Sequence, residues 1–310
     1  MKAMKFEGLN ANPMLVASEL ALPRLDEDSV LIEVRASGVT PTELLWYPTT
    51  HTKDGALRSG SVPGHEFSGI VAAVGKNASG FAVRQEVYGM NDWFEDGATA
   101  EYCLTKPQWI APKPASLTHE EAATVPIGAL TAWQGLFTRA NIHAGERVLV
   151  HGAAGAVGIF VVQLARLHGA HVIATASAQN MGFVRELGAE KVIDYRTSRF
   201  EDVCGKMDVV FDTVGGETLE RSWQVLSPAG RMVTIAADVE ATSDQRAKGA
   251  FFIVEPNRQE LEKISALIDE DKLKTYVSGV VPFADAPAAY ARTITKKLAH
   301  GKVVLAVSAH

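Results

Sequence analysis

Gly152, Gly155 and Gly158 are spaced as in a loop that cradles a phosphate. They follow a short β-branched run, Val148-Leu149-Val150, which reads as a buried strand, and they precede Val157, Val161, Leu164 and Ala165 at helical spacing. Strand, glycine-rich turn and helix is the arrangement that sets a pyrophosphate on a helix N-terminus. Against G-x-G-x-x-G the first glycine is replaced by Ala153. Gly155 would let the backbone approach the phosphates, and Gly158 would let the helix pack closely on its strand. The plain alternative is an ordinary tight βα turn.

A second strand, His171–Thr175, follows. Folds that take NAD place an acid near the end of this strand, about 20 residues past the first glycine, to accept from the ribose 2′-OH. Here Thr175-Ala176-Ser177-Ala178-Gln179-Asn180 stands there, and the first acid is Glu186. A carboxylate would repel a 2′-phosphate, whereas a hydroxyl can bond it, and a hydrogen bond to a charged group contributes about 1.5–3 kcal/mol. The pattern therefore favours NADP(H) over NAD(H), with Ser177 the first candidate for the phosphate contact. The alternative is a simple serine turn.

The rest of the chain supplies a scaffold for this turn. Residues 1–115 read as short strands punctuated by glycine and proline: Ser29–Ala36, Gly69–Gly75, Gln85–Gly89 and Ala98–Leu104. A Thr-x-x-Glu capping box at Thr118–Glu121 then opens a helical region, with helical spacing over Ala129–Phe137. Strands and helices alternate from there. A helix over Met181–Gly188, strands at Val192–Tyr195 and Met207–Asp212, a helix over Glu217–Leu226 and a strand at Arg231–Ala236 are expected. Ala250–Val254 reads as one more strand, and Glu240–Lys248 as a surface loop. An amphipathic helix over Gln259–Asp271, a strand at Gly279–Phe283, a helix over Ala286–Leu298 and a strand at Gly301–Val307 close the chain. The alternating middle predicts an α/β fold with a doubly wound parallel sheet.

The composition bounds the function. The chain has 310 residues, 47% hydrophobic and 21% charged, with a formal net charge of −6. That length suits two domains, and a mildly acidic chain without Lys/Arg runs is a poor partner for nucleic acid or anionic membranes. Two cysteines, Cys103 and Cys204, exclude a disulfide framework and fit a reducing cytoplasmic setting. The N-terminus carries no apolar signal core, and no run of about 18 apolar residues predicts a membrane span.

Three stretches together resemble one family, the medium-chain dehydrogenase/reductases, and within it the zinc-free quinone oxidoreductase-like branch. Val62–Val71, which contains Pro63-Gly64-His65-Glu66, resembles its first-domain signature. Ala123–Trp133 resembles its entry to the cofactor domain. Val148–Gly158, with Gly188-Ala189 through Tyr195, resembles its nucleotide half. The resemblance implies a GroES-like, mostly-β catalytic domain at 1–118, a Rossmann-type domain at 119–256, and a return to the first domain at 257–310.

It also implies roles for particular residues. Zinc members hold their metal with a cysteine, a histidine and a later cysteine or acid. Thr40 stands where the first cysteine would be, His65 and Glu66 match the His-Glu pair, and no cysteine lies near Ile127. A catalytic zinc needs three protein ligands, so no metal is expected, and His65 reads as a hydrogen-bonded structural residue with a proton relay as the alternative. The remaining chemistry is hydride transfer from NADPH to a quinone or an α,β-unsaturated carbonyl. The developing oxyanion needs a donor, for which Thr40 and Tyr47 are the catalytic candidates. Thr131 resembles the nicotinamide-side contact. Gly152, Ala154, Gly155, Ala156 and Val157 resemble the pyrophosphate site. Ser177, Tyr195 and Arg196 resemble the ribose-phosphate site, although Asn180 replaces a lysine frequent in the family. Val214, Phe252 and Val254 belong to segments that bracket the cofactor. Lys302 reads as a solvated lysine, with a cofactor contact as the alternative. A homodimer is implied, with Ala250–Val254 pairing across a two-fold axis. A non-catalytic NADPH-binding sensor and a zinc alcohol dehydrogenase remain as rival readings.

Overall fold

The structure is a computed structural model that describes residues 1–7, 14–236, 239, 242–294 and 300–307. The chain forms two compact units: Met1–Ile127 with Pro256–Asp271 and Thr275–His310, and Gly128–Glu255 with Lys272–Lys274.

The first unit is mostly β. It begins with β1 (Lys2–Glu7), β2 (Met14–Glu19), β3 (Val30–Gly38), β4 (Glu66–Val74), β5 (Glu86–Met90), β6 (Tyr102–Thr105) and β7 (Ile110–Pro112). The second unit contributes β8 (Arg147–Val150), β9 (His171–Ala176), β10 (Lys191–Asp194), β11 (Met207–Asp212) and β12 (Leu226–Thr234). The chain then returns to the first unit with β13 (Val277–Pro282) and β14 (Lys302–Ala306).

In the first unit β1 and β2 form an antiparallel pair, and a seven-stranded sheet runs β13-β14-β3-β4-β5-β7, with β6 also on β3. β13 lies parallel to β14; the other pairings in this sheet are antiparallel. Register shifts at Leu31/Ile32 and Val34/Ala36 bend the long β3–β4 ladder. Val30, Ile32, Val34, Phe67, Val71, Val87 and Ile110 fill one core of this unit. Pairing β14 with β3 draws the chain's tail against the strand that ends just before Thr40.

Short elements fix the connections. Thr118 accepts from the Glu121 N–H while Glu121 accepts from the Thr118 N–H, the reciprocal capping box expected from the sequence. Such a cap contributes about 1 kcal/mol. The helix Arg258–Asp269 is capped by Asn257 and buries Leu261, Ile264 and Ile268. After Trp133 the backbone widens to a π-helical turn over Gln134–Arg139, where helical spacing alone predicts a plain α-helix.

The second unit is built on a five-stranded, all-parallel sheet in the order β10-β9-β8-β11-β12. The order reverses between β8 and β11, so the carboxyl ends of these two strands bound the switch point where such sheets bind ligands. Four expectations need correction. Ala250–Val254 is not a strand: Ala250 ends the helix Gln245–Ala250, and Phe251 makes a single parallel bridge to Thr234. The helix expected over Glu217–Leu226 is Gly216–Ser222, and β12 starts at Leu226 and passes through Pro228. The tail helix spans Ala286–Tyr290; residues 295–298 of its expected range lie outside the described residues, as do Glu240 and Ala241 of the expected loop, whose last residues, Gln245–Lys248, are helical instead. Among the described residues, no helix is long and apolar enough to cross a membrane.

Candidate active site

The glycine-rich turn connects β8 to the helix Gly158–Leu167. Gly152 has φ 70°, a left-handed conformation that L side chains rarely adopt, and an added Cβ would stand 2.2 Å from Thr213 Oγ1. At Gly158 a Cβ would stand 2.3 Å from the Gly152 carbonyl oxygen and 2.7 Å from Ala153 Cα, so only glycine lets the helix start this close to its strand. Val157 caps that helix without a side-chain bond. Ala154, Gly155, Ala156 and Val157 are all at least partly exposed. A helix start with no side-chain cap, beside accessible backbone, is a ready anion site.

The neighbouring strand ends gather the ribose-side candidates. The β9–β10 register pairs Ala176 with Asp194, and the Tyr195 N–H reaches the Ala176 carbonyl at 3.3 Å. Ser177 and Tyr195 therefore leave adjacent strand ends. Ser177 is buried, Tyr195 is exposed, and the Arg196 guanidinium sits 5.7 Å from the Tyr195 ring centre. Asp194 accepts from the Arg196 N–H at 3.0 Å, so the nearest strand-end acid has a backbone partner.

At the end of β11 the buried Asp212 carboxylate accepts from the Val214 and Gly215 N–H groups and from the Thr234 hydroxyl. This fixes the loop that carries the exposed Val214. Thr131 is buried on the helix Pro126–Trp133. Phe252 and Val254 are buried, and Gln134 holds the residue after them by a paired bond: its amide accepts from the Glu255 N–H and donates to the Glu255 carbonyl.

The first unit contains a buried polar cluster. Glu66 accepts from the Ile127 N–H at 3.0 Å and pairs closely with Lys302. Lys302 also donates to Thr40 Oγ1 at 3.3 Å, and the Thr40 hydroxyl points to Glu66 Oε1 at 3.5 Å. Burial pushes the Glu66 carboxyl up, while the Lys302 charge opposes the shift. Lys302 is only 6% exposed, which corrects the expectation of a solvated lysine.

A second buried carboxylate, Glu43, accepts from the Gly64 N–H, the His65 N–H, the Tyr290 hydroxyl at 2.8 Å and His65 Nδ1 at 2.5 Å. His65 Nε2 lies 3.1 Å from the Glu95 carbonyl oxygen. Both nitrogens of His65 are thus engaged. Burial, then the Glu43 charge, pushes the Tyr290 hydroxyl well above its ordinary value. Among the described residues, no group of three or more His, Cys, Asp and Glu is arranged to hold a metal ion.

Tyr47 belongs to a separate aromatic group. Its ring stacks on His51 at 4.2 Å, and it is 53% exposed. Beside it in sequence, Trp46 meets Trp93 edge-on at 4.5 Å, and Trp93 leans on His65 at 4.9 Å.

Comparison with known proteins gives this geometry a family. Residues 26–115 match the alcohol dehydrogenase GroES-like domain, and residues 187–305 match the zinc-binding dehydrogenase family. An NADPH-dependent alkenal/one oxidoreductase of Arabidopsis thaliana is 31% identical over 98% of this chain and 79% of its own length. The chain belongs to the medium-chain dehydrogenase/reductase superfamily, on its quinone oxidoreductase-like branch. A probable zinc-binding mitochondrial oxidoreductase of Arthroderma benhamiae is 31% identical over 92% of this dehydrogenase/reductase and 90% of its own length. The quinone oxidoreductase structure from Coxiella burnetii superposes with a TM-score of 0.87 at 28% identity, covering 99% of both chains. This dehydrogenase/reductase is therefore an oxidoreductase with a GroES-like domain and a Rossmann-like sheet, in a family that uses a nicotinamide cofactor and small-molecule substrates.

Several site residues of this dehydrogenase/reductase escape sequence reasoning. Glu43 looks like an ordinary surface acid in a loop. Lys302 meets a partner 236 residues away. His151 sits inside the glycine motif, where only its unusual size among glycines and alanines marks it.

Proposed function

We propose that this protein is a zinc-independent, NADPH-dependent reductase that delivers hydride to a quinone or to the β-carbon of an α,β-unsaturated carbonyl. The observation that carries the reading is the Lys302 ammonium paired with Glu66 beside Thr40. In zinc members the residues at Thr40, His65 and Glu66 surround a metal. In this chain Thr40 brings a hydroxyl in place of a thiolate, a cation already pairs with Glu66, and both His65 nitrogens are engaged. These residues do not fit a catalytic zinc, which needs three free donors.

The nucleotide fits better. The backbone of Gly152–Val157 and the start of the helix at Gly158 would hold the pyrophosphate. Ser177, Tyr195 and Arg196 would hold the ribose phosphate. Thr131, Val214, Phe252 and Val254 would bracket the nicotinamide side. Bound NADPH supplies the hydride. The chain's own task is to stabilise the oxygen that gains charge. Thr40 accepts from Lys302 and keeps its own proton to donate, because its 3.5 Å approach to Glu66 is a weak bond. In enone reduction the enolate oxygen is held by Thr40, and solvent returns a proton to the α-carbon. In quinone reduction the phenolate oxygen is held the same way. Tyr47, exposed and stacked on His51, is the second candidate donor.

The reading extends to a cytoplasmic enzyme in which the buried Cys103 and Cys204 remain thiols. It also extends to a homodimer. Ala250–Val254 forms no strand to pair, and the exposed Ile253 in that segment is an apolar side chain that association could cover. Sedimentation at micromolar concentration tests that point, and a monomer would remove it.

The chemistry itself is tested with NADPH deuterated on the nicotinamide ring. Deuterium at the β-carbon of the reduced enone supports hydride transfer. Bound NADPH without any reduced quinone or enone would favour the non-catalytic sensor.

A further inference from the structure

His151 opens the glycine-rich turn, and the mechanism above gives it no task. It is 1% exposed. Its Nδ1 lies 3.0 Å from Thr175 Oγ1, and its Nε2 lies 2.9 Å from Ser222 Oγ. The Ser222 hydroxyl donates to the Thr218 carbonyl at 2.6 Å, so its oxygen must accept from the ring. The hydrogen-bond network therefore assigns the proton to Nε2 and leaves Nδ1 to accept from the Thr175 hydroxyl. The Phe200 ring meets the imidazole edge-on at 4.5 Å. Burial, with the nearby Arg221 charge, drives the ring's pKa down to about 3, against an opposing pull from Glu201. The imidazole is neutral across the physiological range.

The backbone around this ring is equally tied. The His151 N–H donates to the Phe211 carbonyl at 2.9 Å, and its carbonyl accepts from the Thr213 hydroxyl at 2.8 Å. The Ala153 N–H reaches the Thr175 carbonyl only at 3.3 Å. Past the last β8–β9 ladder pair, Val150 with Ala174, this long backbone bond ties the turn to the end of β9. The imidazole–hydroxyl bond is the second tie between them.

We propose that His151 is a positioning residue for the phosphate-bearing ribose of the cofactor. It locks Thr175, two residues before Ser177, against the entry of the glycine-rich turn, so that the turn's backbone and the Ser177 hydroxyl form one anion-recognising edge. This rests on the NADPH reading of that turn. The lock sets the spacing between pyrophosphate and ribose phosphate, which matters for NADPH and much less for NADH.

The test compares NADPH and NADH dissociation constants, read by nicotinamide fluorescence, in the full chain and two variants. His151→Phe keeps the ring and its contact with Phe200 but removes both bonds. Thr175→Val removes only the hydroxyl, at nearly constant shape. Each should weaken NADPH binding by about tenfold, the worth of one positioned hydrogen bond, and NADH binding by less. Val225→Ala, a core truncation in the same unit, should lower the melting temperature without moving the NADPH:NADH ratio. An unchanged ratio in folded Thr175→Val, with the wild type preferring NADPH, would overturn the positioning role alone. A wild type that binds neither nucleotide would overturn both this role and the cofactor reading.

Discussion

Lys302 Nζ lies 3.3 Å from the Thr40 hydroxyl oxygen while pairing with the buried Glu66 carboxylate. A hydroxyl that accepts from an ammonium is polarised toward donation. Replacing Thr40 with valine should therefore lower kcat by about 10²-fold, the usual cost of removing one oxyanion donor, with the NADPH dissociation constant little changed. Steady-state kinetics beside a nucleotide titration check this. An unaltered kcat would dismiss Thr40 as the donor.

The same ion pair carries stability. Lys302→Met leaves Glu66 buried without its cation, a change that costs about 3–5 kcal/mol. Burial already holds the folded carboxyl above its ordinary value near 4.5, and losing Lys302 raises it further. Folded protein then binds more protons than unfolded chain, so the variant should lose stability as pH rises above about 4.5. Adding Glu66→Gln should recover much of the loss. Additive effects in denaturant titrations of the double-mutant cycle would contradict the pairing.

Tyr290 donates to Glu43 at 2.8 Å from the tail of the chain. Tyr290→Phe removes that donor and leaves a buried carboxylate one partner short, for a cost of about 1–3 kcal/mol. Because Glu43 also holds His65, the nitrogen resonances of the His65 ring should shift in the variant. Unchanged resonances would separate the two contacts.

His151 predicts an acid limb. Its folded pKa, about 3, lies below its ordinary value of 6.5. The unfolded chain therefore binds the proton first, and stability falls as pH drops from about 6.5 toward 3. His151→Phe should flatten that slope in urea melts at stepped pH. A slope equal to the wild type's would place the titration elsewhere.

Gly158→Ala pushes a methyl against the Gly152 carbonyl and Ala153 Cα, backbone atoms that cannot rotate away. The helix must shift from its strand. Cofactor affinity should drop by more than tenfold, a change of about 1.4 kcal/mol or more. Calorimetric titration checks it, and wild-type affinity would show that the close approach is not needed.

Much of this arrangement is legible in the sequence where the interactions are local. The capping box at Thr118 and Glu121 spans four residues, and the strand–turn–helix at Val148–Gly158 is a single run. Ala250–Val254 misleads because its composition is that of a core strand. The helix ahead of it, capped by the Asp244 side chain, takes in Ala250, and Phe251 packs on the core with a single bridge to Thr234 in place of a ladder. Lys302 misleads for a different reason. A lysine at a strand start is normally solvated, and only the fold brings it to Glu66. Glu43 and Tyr290 likewise meet across 247 residues. The π-helical turn over Gln134–Arg139 carries no local sequence signal, and within it Gly135 packs so closely that a Cβ would strike the distant Phe211.

A zinc-independent NADPH reductase is tested by NADPH oxidation with benzoquinone-type and enone acceptors, each repeated with NADH and with a chelator. Turnover should prefer NADPH and be indifferent to the chelator. Activity lost to the chelator would return His65 and Glu66 to a metal site, and a preference for NADH would contradict the reading of Ser177.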